Sequence, residues 1–222
     1  MHGPAAPHGE ETISYHLREL EIAQDPLDRR HLMPPIQPWH KTILDIGCGM
    51  GQTLMAAGLA DDVAAYGVDV DAEAIEAGRQ IAPATVHLQV GEAEQLKFPD
   101  EMFDFVFCRG ALPYMLIDVM LGEVWRVLRP GGEVWLSLHA WGMLKERAKE
   151  SLRAKNYKDV AFCGFVGLNG ILFHATGLQM NVRGRRETFQ TEQGMRRAFR
   201  RAGLECTEVR RGEHFVVSGR RP

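Results

Sequence analysis

Residues 42–54 read TILDIGCGMGQTL. A short apolar run, Ile43-Leu44-Asp45-Ile46, stops at Gly47-Cys48-Gly49-Met50-Gly51, and helix-compatible residues follow from Gln52. That order predicts a strand, a tight glycine turn and a helix. Glycines in such a turn let a ligand approach the backbone and a helix N-terminus, as at the opening of a βαβ unit. The dinucleotide fingerprint is G-x-G-x-x-G. Here the third glycine, Gly51, comes one place early, and Gln52 stands where that fingerprint needs glycine. The pattern is G-x-G-x-G, with an acid, Asp45, two residues before it.

Downstream, residues 63–69 (VAAYGVD) predict a second buried strand ending in an acid. Asp69 follows Gly47 by 22 residues. An acid about 20 residues beyond the turn accepts hydrogen bonds from ribose hydroxyls in such units. Asp71 fits a different role, the N-cap of the next helix, with acids in its first turn. A third strand is predicted over 85–90 and a fourth over 103–109. Arg109-Gly110-Ala111-Leu112-Pro113-Tyr114 then lies past the carboxyl end of strand four, where open α/β sheets bind ligands. A helix marked by Leu116, Met120, Val124 and Val127 ends at Pro130-Gly131-Gly132. Strand five is expected over 134–138. Near the C-terminus, Thr191 caps an amphipathic helix that Gly203 ends. Strands over 205–210 and 214–218 then form a hairpin.

Together these segments resemble the class I S-adenosylmethionine-dependent methyltransferases. The resemblance covers about residues 40–139 and 189–219. It rests on LDIGCGMG, on GEAEQLKFP (91–99) and on VLRPGGEVWLSLH (127–139). It implies an α/β fold: a doubly wound, Rossmann-like, seven-stranded sheet, mostly parallel, with an antiparallel C-terminal hairpin. S-adenosyl-L-methionine is the cofactor it implies, and S-adenosyl-L-homocysteine the product. Asp45, Gly47, Cys48, Gly49 and Gln52 would seat the methionine part, with the backbone at Arg109 and Gly110 facing it. Asp69 and Val70 would hold the ribose. Glu92, where the family usually has Asp, and Ala93 would read the adenine edge.

The whole chain of 222 residues suits one domain. It divides into an N-terminal cap (1–38), a cofactor-binding core (39–139), an insertion after strand five (140–188), and a C-terminal helix and hairpin (189–222). Residues 1–11 read as disordered, 12–24 as a helix and 27–33 as a second short helix. Within the insertion a helix is expected over 143–153. The apolar, glycine-rich stretch that follows suits a pocket wall, a mobile lid or a dimer face.

No apolar run approaches the roughly 20 residues of a membrane span. Cys48, Cys108, Cys163 and Cys206 are scattered, which suits reduced thiols in a cytoplasmic protein. No histidine spacing signals a metal site. The net charge of −3 hides an asymmetry: residues 183–222 hold 11 Arg and 5 Glu, or +6, leaving −9 elsewhere. Arg196, Arg197, Arg200 and Arg201 lie opposite the apolar face of their helix, so a solvated face is the simpler reading.

The activated sulfonium asks the protein mainly for in-line positioning and exclusion of water. Where the acceptor must lose a proton, His139 at the end of strand five is the expected base, with His174 and Tyr114 as weaker candidates. Tyr15 and His16 could also face a substrate. The expected reaction moves a methyl group to a nucleophilic O, N or C of a small molecule. The alternatives are a catalytically inactive cofactor-binding partner or sensor and an RNA methyltransferase using the Arg-rich end. The N/D-P-P-Y/F/W motif of DNA amino-methyltransferases is missing after strand four.

Overall fold

The computed structural model describes residues 10–139, 141–212 and 214–222. Of the segment expected to be disordered, residues 1–9 lie outside the described residues, and Glu10 begins a helix.

A seven-stranded sheet organises the molecule, in the order β3-β2-β1-β4-β5-β7-β6. Its strands are β1 (Thr42–Ile46), β2 (Ala64–Asp69), β3 (Val86–Val90), β4 (Phe103–Cys108), β5 (Leu128–Leu138), β6 (Glu205–Arg210) and β7 (Phe215–Arg220). β1 through β5 are parallel, and β7 enters antiparallel between β5 and β6. From β1 the chain builds outward through β2 and β3, then crosses to β4 and β5 on the other side. This reversal leaves a crevice at the carboxyl ends of β1 and β4, the general ligand site of open α/β sheets.

Both faces are covered, so the strands read as nearly continuous apolar runs. On one face Leu44, Ile46, Val106 and Leu136 pack beneath α4 (Ile117–Val127) and α7 (Glu192–Arg201). On the other, Ile43, Phe105, Phe107 and Trp135 meet α2 (Gln52–Ala56) and α3 (Ala72–Ile81) through Leu54 and Ile75. The caps follow the sequence closely. Asp71 accepts from the Glu73 and Ala74 amides at the start of α3, and Thr191 accepts from the Gly194 amide at the start of α7.

Four expectations need correction. The helix after the glycine turn, expected to run to about Leu59, ends at Ala56, because Ala57 and Gly58 turn the chain toward β2. No helix forms over 27–33. Asp25 and Asp28 instead accept the Leu27 and Arg30 amides two residues on, a side-chain turn that competes with helix. Pro130-Gly131-Gly132 does not terminate α4, which stops at Val127. It lies inside an early start of β5, tied to the last strand's end by Gly131 N to Arg221 O at 2.9 Å and Arg221 N to Gly132 O at 2.9 Å.

The fourth concerns the insertion. It holds α5 (Trp141–Arg153) and a 20-residue helix, α6 (Tyr157–Thr176), over the glycine-rich stretch to which the sequence assigned no element. Asn156 caps its start and Gly177, at φ 74°, ends it. By length and composition alone α6 could cross a membrane, which also revises the expectation of no such segment. One of its faces is packed inside the fold, through Phe162, Cys163, Val166, Asn169 and Phe173. One of its glycines serves close contact: a Cβ on Gly170 would lie 2.2 Å from the Phe189 ring. Asn169, fully buried, accepts the Met180 amide at 2.6 Å and donates to the carbonyls of Met180, Arg186 and Glu187.

Candidate active site

The glycine turn is fixed from below. Gly47 and Cys48 amides both donate to Val68 O, at 2.8 and 3.1 Å. The Gly49 amide donates to Asp69 Oδ2 at 2.7 Å, Met50 to Gln52 Oε1 at 3.0 Å, and Gly51 to Cys48 O at 2.8 Å. Every amide of the turn is thus engaged within the protein. A phosphate-binding loop works the other way, offering unpaired N–H groups to oxyanions. The turn is shaped for close approach all the same. A Cβ on Gly47 would meet Ala111 Cβ at 2.3 Å, and one on Gly49 would meet the His16 ring at 2.4 Å.

Three adjoining cavities follow the rim. The largest, about 1070 Å³, runs over Gly47, Gly49, Gln52, Asp69, Arg109 and Gly110 and reaches Ser137, His139 and His214. A second, of about 420 Å³, shares Gly47, Asp69 and Tyr114 with it and continues past Val70 to Glu92 and Ala93. A third, of about 230 Å³, shares Tyr114 and His139 with the first and runs under the insertion. Pro113, Leu144, Phe162, Val166 and Phe189 make it largely apolar. Gly49, Asp69 and Glu92 therefore border one continuous system, and His139 stands where its polar and apolar parts meet.

Asp45 sits beneath the turn, 1% exposed, with Oδ1 unpartnered. Burial pushes its carboxyl well above the usual range, against the pull of nearby Arg109. Arg109 is itself nearly enclosed. It has an unpartnered Nε and reaches Glu19 of α1 (Glu10–Gln24) at 3.3 Å. Orphaned buried polar atoms of both signs beside a backbone cradle fit the ammonium and carboxylate of an amino-acid moiety. α1 lies across this end, with Tyr15 and His16 lining the cavity. The His16 ring stands 3.4 Å from Gln52 Nε2, and its pKa is lowered by burial.

His139 is held at the backbone by a buried amide the sequence reading missed. Its N–H donates to Gln190 Oε1 at 2.8 Å, and its carbonyl accepts from the Gln190 amide at 3.0 Å. Burial lowers the pKa of its imidazole. His174 needs correction as a site candidate. It ends α6 exposed, beside Thr191 Oγ1 at 3.0 Å, and lines none of the three cavities. The Cys48 thiol points into the core against Gly67. His214, expected within the last strand, instead precedes it and borders the large cavity. Arg186 and Glu94 were also missed. They pair at 2.6 Å and tie the insertion to the Glu92 loop. Several C-terminal arginines are occupied internally: Arg196 on Glu192, Arg220 on Glu205, Arg221 on Glu101.

Residues 43–132 match the family model described as "Methyltransferase domain". The chain is 41% identical over 98 residues to demethylmenaquinone methyltransferase of Symbiobacterium thermophilum, covering 40% of this chain and 39% of the relative. It is 37% identical over 95 residues to fatty-acid O-methyltransferase of Mycolicibacterium smegmatis, covering 41% and 35%. The chain thus spans about two fifths of the length of these relatives. Geranyl diphosphate methyltransferase, solved with S-adenosylmethionine, shares the fold over 99% of this chain and 93% of its own, with a TM-score of 0.61 at 17% identity. Residues 43–132 thus match a methyltransferase domain, and the chain as a whole shares the fold of S-adenosylmethionine-dependent methyltransferases.

Proposed function

We propose that the protein transfers the methyl group of S-adenosylmethionine to a nucleophilic atom of a small molecule with a substantial apolar part. The observation that carries this reading is the continuous cavity system, with the cofactor residues on one side of His139 and an apolar chamber on the other. Asp45 and Arg109 hold the amino-acid end, Asp69 takes the ribose hydroxyls, and Glu92 with the Ala93 amide takes the adenine. The turn, with every amide already engaged, favours a cofactor without phosphate. Bound cofactor supplies an electrophilic methyl. This chain aligns the acceptor, excludes water and, at His139, takes a proton from acceptors that carry one.

Two measurements test this. S-adenosylhomocysteine at 100 times its Kd adds about 2.7 kcal/mol to stability. For a domain of this size that raises Tm by roughly 5–11 °C, whereas NAD leaves it unchanged. Incubation of methyl-labelled S-adenosylmethionine with a metabolite extract yields a labelled, extractable apolar product. Stabilisation by NAD alone rejects the cofactor assignment. Cofactor binding without transfer to any acceptor leaves the inactive binding protein as the better description.

A further inference from the structure

We propose that α6 is the contact of a two-fold homodimer. Its inner face lines the apolar chamber through Phe162 and Val166. Its outer face carries Tyr157, Ala161, Gly164, Leu168, Ile171 and Ala175, all exposed. The three large side chains are 70, 65 and 61% exposed for Tyr157, Leu168 and Ile171. Their spacing alternates four and three, so at about 100° per residue the six fall within an arc of about 80°. Val160, Phe165 and Leu172, each partly exposed, extend that arc on its flanks, and no charged residue falls inside it. Gly164 has no neighbour where a Cβ would stand, so nothing in the single chain requires glycine there. An interior helical glycine is less stable than alanine, so its presence there has to be explained.

The stripe is complementary to itself. Place a two-fold axis across the helix at Val166, so that two copies run antiparallel. Tyr157 then faces the partner's Ala175, Ala161 faces the partner's Ile171, and Gly164 faces the partner's Leu168. Each large side chain meets a small one, as an isologous contact requires. A helix of 20 residues is about 30 Å long. With its flanks it covers roughly 500–600 Å² per protomer, near the lower bound for a specific dimer. The observations therefore favour a second copy, in a reversible dimer of micromolar strength.

Sedimentation velocity on the full chain, from about 1 to 200 µM, tests this without reference to methyl transfer. The expected result is a concentration-dependent shift from 24.9 kDa to twice that mass. Leu168→Lys abolishes the shift while leaving Tm and S-adenosylhomocysteine affinity unchanged. Ala161→Ile alone weakens the dimer at least tenfold, and adding Ile171→Ala restores it by exchanging large for small across the axis. A monomer at 200 µM overturns the proposal, as does a dimer indifferent to Leu168→Lys. Co-flotation with phosphatidylcholine–phosphatidylglycerol vesicles by a chain that stays monomeric in solution also overturns it, and assigns the stripe to a lipid surface.

Discussion

Asp69 is asked to do two things. Its Oδ2 holds the Gly49 amide and its Oδ1 accepts the Asp71 amide at 2.9 Å, so the carboxylate fixes the turn before any ligand arrives. The remaining lone pairs face the cavity and suit ribose hydroxyls. Asp69→Ala should therefore weaken S-adenosylhomocysteine binding about 10- to 100-fold, the size of a lost charge-assisted hydrogen bond, as read by calorimetry. His139 carries a prediction of pH dependence. Burial disfavours its charged form, so its folded pKa lies below its unfolded value. The unfolded state then binds more protons as pH falls, and this residue's contribution to stability is lost on acidification below about 6.5. The neutral base persists to the same lower pH. With an acceptor that loses a proton, the acid limb of kcat/KM should fall below 6.5, and His139→Asn should remove that limb while lowering the rate by about 10²–10⁴. The site residues near the glycine turn were legible because that motif fixes its own geometry. Gln190 was not, since its role depends on an amide meeting a strand end 51 residues earlier.

Among the elements, strands and caps were easiest to read from sequence. β6 falls over the expected residues, 205–210, and Asp71 and Thr191 cap as their side-chain chemistry requires. α6 was not legible as a helix. Glycine is a poor helix former, yet Gly170 and Gly177 are needed for contact and for the helix end. Tertiary packing overrides propensity at such places. Asn169 was equally hidden, a polar residue in an apolar run whose partners lie 11 to 18 residues away. Replacing it by Leu strands several buried backbone groups. Asn169→Leu should cost about 2–4 kcal/mol in urea unfolding and loosen the chain over 180–187 to hydrogen exchange. Gly78 in α3 is a second such place: a Cβ there would lie 2.2 Å from Met50 O, on the back of the glycine turn. Gly78→Ala should destabilise by about 1–3 kcal/mol and also weaken cofactor binding, because the clash is relieved only by moving the turn.

Across the whole molecule, the insertion is anchored at points that bear on both halves of the site. Arg186 on Glu94 joins it to the Glu92 loop, the proposed adenine side, and Gln179 accepts the Ile117 amide at 2.9 Å beside α4. Arg186→Ala should thus raise KM for S-adenosylmethionine several-fold more than it changes Tm, since the ion pair is partly exposed and adds little stability. Its double-mutant cycle with Glu94→Ala measures that coupling. A turn whose amides are all spoken for also bears on competition among adenosine-containing ligands. Adenine nucleotides outnumber most cofactors in cells, and they share the adenosine portion proposed to sit on Asp69 and Glu92. At the turn their triphosphate would find only engaged amides, above the buried carboxyl of Asp45. Millimolar ATP should accordingly leave occupancy by the sulfonium almost untouched, and that occupancy should vary little with ionic strength.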